Sequence, residues 1–101
     1  MSTHYQFMVD FDLPPEITQD FIDLLPQQRA IADQYLMEGK LLNYSFSVER
    51  AKIWAVFAAN SEFEVREMLF DFPLTPYMEM NVSLLSFHDA VKRELPEFSE
   101  N

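Results

Sequence analysis

Tyr5, Phe7, Val9, Phe11 and Leu13 alternate with His4, Gln6, Met8, Asp10 and Asp12. A period of two with one apolar side predicts a half-buried strand. Pro14 and Pro15 end it, because proline donates nothing to a ladder. Ile17, Phe21, Leu24 or Leu25, Gln28, Ile31, Tyr35 and Leu36 then recur at spacings of three or four, the stripe of an amphipathic helix. Pro26 interrupts that stripe. It lacks a backbone donor and pushes Leu25 away from helical angles, so the expectation is a kink, or two helices meeting at Pro26. Gly39, the only glycine in the chain, follows the run where a left-handed C-cap is needed.

Residues 41–49 alternate again, with Leu42, Tyr44, Phe46 and Val48 against Asn43, Ser45 and Ser47. Residues 52–59 (KIWAVFAA) are apolar on both sides, which suits a central strand covered twice. Glu49-Arg50 is a short link, so the two strands read as a hairpin. Ser61 followed by Glu64 matches a capping box, with the glutamate reaching back to the cap. Val65, Met68, Leu69 and Phe72 share one side of the helix that follows, and Glu62 and Arg66 are placed to pair at i,i+4. Pro73 and Pro76 stiffen residues 72–77. A last strand opens at Met80, Val82 and Leu84 and runs to about Phe87 or His88. The tail, 89–101, holds one short helical piece at 90–95 and then turns polar.

The order β-α-β-β-α-β is the ferredoxin-like arrangement: a four-stranded antiparallel sheet with two helices on one face. A chain of 101 residues is one domain, with its core over about 4–88. Ile53 and Phe57 face one way and Trp54 and Val56 the other, so the central strand needs two dry faces. A second copy of the chain is the most economical cover for the face without helices. The 49% hydrophobic and 15% aromatic content supports the same expectation of a homodimer.

Charge and composition exclude several classes of function. Seventeen acids against seven bases give a net charge of −10. That argues against a nucleic-acid surface, which needs a basic patch, and against an anionic membrane. Without cysteine there is no disulfide framework, thiolate nucleophile or cysteine zinc site. No run approaches transmembrane length and no basic-then-apolar leader opens the chain, so the expected location is cytoplasmic. Ser45 and Ser47 lack a surrounding histidine and acid, which leaves a serine triad unsupported. His4 and His88 are the only histidines and fall at strand ends that this topology brings together. Nothing adds a converging third ligand, and exposed histidines are the expectation, with no metal and no cofactor. Tyr44, Trp54 and Tyr77 are amphipathic enough for the wall of a pocket, and equally suited to core or dimer packing.

The segment Phe72-Pro73-Leu74-Thr75-Pro76-Tyr77-Met78-Glu79-Met80, followed by Val82, resembles the LPLFPYMDIEV signature of the muconolactone isomerase family. Leu13-Pro14 after the first strand and Glu38-Gly39 at the end of the first helix agree, and the resemblance covers residues 4–88. It implies a dimeric α+β barrel in which two sheets pack face to face, with dimers able to assemble further, as into decamers. It implies a cofactor-free proton transfer on a lactone, with a carboxylate on the first helix as shuttle. The matching position here is Gln28, preceded by Gln27, and an amide does not shuttle protons near neutral pH. The family's His-x-x-Trp-Arg pattern on the second strand is replaced by Asn43, Tyr44, Ser45 and Phe46.

The expectation is therefore a protein that binds a small organic acid or lactone, with altered or absent isomerase activity. Its ligand-binding candidates are Gln28, Arg29, Tyr44, Trp54 and Tyr77; no catalytic residue is assigned. The alternative is a non-catalytic oligomeric module with a filled core. An open pocket lined by polar groups distinguishes the first from the second.

Overall fold

The computed structural model describes residues 5–86. Its elements run β1 (Tyr5–Asp12), α1 (Gln19–Met37), β2 (Leu41–Ser47), β3 (Lys52–Ala59), α2 (Glu62–Phe70), a single 3-10 turn (Thr75–Tyr77) and β4 (Glu79–Leu84). The strands form one antiparallel sheet in the order β2-β3-β1-β4. This is the ferredoxin-like α+β arrangement that the alternation of the chain predicts. β4 ends at Leu84, short of the expected Phe87 or His88; both histidines and the short helix at 90–95 lie outside the described residues.

Phe7, Val9 and Phe11 of β1 and Ile53, Ala55 and Phe57 of β3 supply the sheet side of the core, and Phe21, Ala32, Val65 and Leu69 the helix side. The opposite face carries Met8 beside Val56 and Asp10 beside Trp54. Lys52 bridges Asp12 at 2.8 Å and Asp10 at 3.6 Å on that same face. No described helix lies over it.

Three local expectations need correction. The alternative of two helices meeting at Pro26 falls, because α1 is one continuous helix with Pro26 inside it. An interior proline costs about 3 kcal/mol, but Phe21 before it and Gln28 and Ala32 after it are all buried. Both halves of the stripe must face the sheet together, and the packing carries the helix through. The second correction is in β2. Leu41 pairs with Phe57 and Asn43 with Val56, so Leu42 is an extra residue in a β-bulge. Leu41 is consequently 1% exposed while Leu42 is 41% exposed, the reverse of strict alternation. Third, Glu64 reaches back to the N–H of Asn60 at 2.8 Å, one residue before the cap, while Ser61 Oγ accepts from Glu64 N–H at 3.2 Å as expected.

Gly39 has φ +77°. Its N–H donates to Leu36 and that of Lys40 to Tyr35, at 3.2 and 3.0 Å, the paired bonds of a Schellman stop.

Candidate functional site

A cavity of about 800 Å³ opens between α1 and the β2 side of the sheet. α1 starts cleanly because Thr18 Oγ1 accepts the N–H of Phe21, as an N-cap should. From there, Phe21, Leu25, Gln28, Arg29, Ala32, Asp33 and Leu36 form one wall, at helical spacing. Tyr44 and Phe46 of β2 with Ile53 of β3 form the wall opposite. Val48 and Ala51 of the hairpin turn and the Leu13-Pro14-Pro15 segment close one end. Leu13 N–H donates to Ala51 C=O at 3.0 Å and ties these two segments together. Ala51 holds φ 56° there.

Gln28 is the one buried polar residue among those described, 4% exposed. Its Oε1 accepts the N–H of Leu74 at 3.1 Å and its Nε2 donates to the Tyr44 hydroxyl at 2.9 Å. A backbone N–H can only donate, which fixes the amide orientation. Because the Tyr44 oxygen accepts from Gln28, its own O–H remains to donate into the cavity. Burial raises the Tyr44 pKa, while the Gln28 hydrogen bond and the Arg29 charge pull it down. The net shift is upward, so Tyr44 is a neutral donor at physiological pH. Phe72 supports it from behind: its ring stacks on Tyr44 and on Tyr35, with centroids 6.5 and 5.7 Å apart.

Of the five residues singled out from the sequence, Gln28, Arg29 and Tyr44 meet at this cavity. Trp54 does not line it. It stands between Ser45 and Asp10 on the sheet face away from the helices. Tyr77 stands behind the wall, its ring edge-on to Phe21 at 5.9 Å and 88°. Asp33 lines the cavity and was not among the candidates. Its signal was present, since it lies four residues after Arg29 on a helix.

In chemical terms the cavity offers apolar walls, one neutral hydroxyl donor, one guanidinium and one carboxylate. It is an open pocket with polar groups on its wall.

The fold and this cavity define an α+β protein of ferredoxin-like topology with a small-molecule-sized pocket under its first helix. The chain belongs to the muconolactone delta-isomerase family, whose sequence profile matches residues 4–90. Among solved structures, a crystal structure of muconolactone isomerase is similar, with a TM-score of 0.69 and 22% identity over 85% of this chain and 93% of that one. At that identity the likeness establishes the shared fold. No curated protein sequence matches the chain. Among the described residues, no helix is long and apolar enough to cross a membrane.

Proposed function

We propose that the protein binds a small, mostly apolar organic acid or lactone in the α1–β2 cavity, and that it has little or no muconolactone isomerase activity. The observation that carries this reading is the state of Gln28. The position matched to the family's proton shuttle holds an amide whose two ends are occupied, by Leu74 and by Tyr44. Such a group neither takes up nor returns a proton. It braces a wall and aims a tyrosine. Loss of a general base lowers rates by roughly 10²–10⁴-fold. The cavity volume speaks for binding over a purely structural module, and the Tyr44 hydroxyl with Arg29 beside it suits a carbonyl or carboxylate.

The test is to titrate muconolactone by calorimetry and to follow its turnover by the natural chain and by Gln28→Glu. The expected result is binding without appreciable turnover, with any trace activity increased in the variant. Robust turnover by the natural chain would overturn the reading.

The same reading includes self-association through the sheet face that carries Trp54, which no helix among the described residues covers. A homodimer, able to assemble further, covers the second face of β3.

A further inference from the structure

We propose that the cavity is built for an organic acid bearing a hydroxyl or ammonium group next to its carboxylate, with Arg29 taking the carboxylate and Asp33 the neighbouring donor. This rests on the cavity being a small-molecule site and names the ligand class within it.

Arg29 and Asp33 both line the cavity and lie four residues apart on α1, about one turn or 6 Å along its axis. Among the described residues neither joins an ion pair; Lys40, Lys52 and Arg66 each hold a carboxylate, while Arg50, on the hairpin turn, like Arg29 does not. The contrast with Arg66 is instructive. Glu62 precedes it by four residues and bridges it at 2.8 Å, the favourable order on a helix. In the cavity the base comes first and the acid is the shorter aspartate, an arrangement that favours pairing less. Opposite charges one turn apart and both unpaired are complementary to a third body that carries both partners itself.

The rest of the wall restricts that body further. Phe21, Leu25, Phe46 and Ile53 call for a bulky apolar group, and the Tyr44 O–H adds a second donor for the carboxylate. A simple apolar acid or a lactone presents acceptors alone. It satisfies Arg29 and Tyr44 and leaves the exposed Asp33 carboxylate to water. A hydroxyl or ammonium on the adjacent carbon gives Asp33 a partner on the ligand, a charge-assisted hydrogen bond that the simple acid lacks.

Three acids with one skeleton isolate the effect: hydrocinnamate, phenyllactate and phenylalanine differ only in whether the carbon next to the carboxylate bears hydrogen, hydroxyl or ammonium. Calorimetric titration of the full chain at neutral pH is expected to show phenyllactate and phenylalanine binding roughly tenfold or more tightly than hydrocinnamate. In Asp33→Asn the advantage of phenylalanine should collapse, with hydrocinnamate affinity held to within about twofold. Arg29→Gln should weaken all three acids. Asp33 is exposed on its helix and makes no described contact, so the variant keeps the fold, which circular dichroism checks. Hydrocinnamate binding as tightly as the other two, or a phenylalanine advantage that survives Asp33→Asn, overturns the proposal and leaves the cavity reading intact. If none of the three binds the natural chain, the cavity reading itself falls and the proposal with it.

Discussion

The side chain of Gln28 donates to the hydroxyl of Tyr44 across 2.9 Å, joining the middle of the first helix to the edge strand of the sheet. The same amide holds the N–H of Leu74, a residue with no exposed surface. Gln28→Leu removes both bonds and leaves a buried backbone donor without a partner, at a cost of roughly 1–3 kcal/mol. Tyr44→Phe leaves only the Gln28 Nε2 unpaired, at the edge of a cavity that water can enter, and should cost about 1 kcal/mol or less. Urea denaturation with unchanged slope is the measurement. Equal stability of Gln28→Leu and the natural chain would remove the bracing role.

Among the described residues two positions hold left-handed backbone, and the residue types make opposite predictions. Gly39 sits at φ +77° with nothing within 4 Å of an added Cβ, so Gly39→Ala has a backbone cost alone, about 1 kcal/mol. Ala51 sits at φ 56° and already bears that strain, so Ala51→Gly should stabilise by up to about 1 kcal/mol. Thermal or urea midpoints of the two variants should move in opposite directions. A shift in the same direction contradicts the backbone account.

Tyr35 links the two helices by donating to the carboxylate of Asp71. Burial first, then that bond and the negative charges of Asp71 and Glu38, raise its pKa from 10.0 to about 12. A raised pKa means that the folded chain holds the proton more tightly than the unfolded one. The stability contributed is complete below about pH 10 and is lost as pH rises through about 12. Tyr44, also raised, acts with the same sign. Stability measured from pH 8 upward should therefore fall across this window, and less steeply in Tyr35→Phe, where one of the two groups is gone. An identical slope in the variant would show that Tyr35 contributes nothing to it.

Self-association can be tested on the sheet face that carries Trp54. Trp54→Asp places a charge between Asp10 and Ser45, where a second copy would have to desolvate it beside another carboxylate. Light scattering at micromolar concentration should give a dimer or larger for the natural chain and a smaller species for the variant. A monomeric natural chain would refute the assembly.

Much of the fold could be read from alternation because each strand has one side facing the helices. β3 is the clearest instance: the apolar run predicts 52–59, the span it occupies. The same feature hid the position of Trp54. A strand apolar on both sides shows that Ile53 and Trp54 point oppositely, but not which side carries the helices. Whether α1 continues through Pro26 or breaks there stayed open for a different reason, since local preference opposes continuity and only long-range packing against the sheet decides. Within the site, Gln28 and Arg29 were found through the family motif and Tyr44 through its amphipathic character. Asp33 lies more than a helical turn beyond Gln28, so the family motif did not mark it. Its place at the cavity depends on the tilt of α1 over β2, which no spacing in the chain encodes.

The bulge at Leu42 separates two requirements that would otherwise constrain each other. Upstream, Gly39 fixes where the helix must stop; downstream, Tyr44 must point at Gln28. A strand counts strictly in twos, so an unbroken ladder would tie the length of the connection to the direction of the tyrosine. With one residue outside the count, the chain gains slack at a single joint, as a vernier does between two scales. Small changes in length between the helix stop and the cavity wall can be absorbed at that joint without turning the wall inside out.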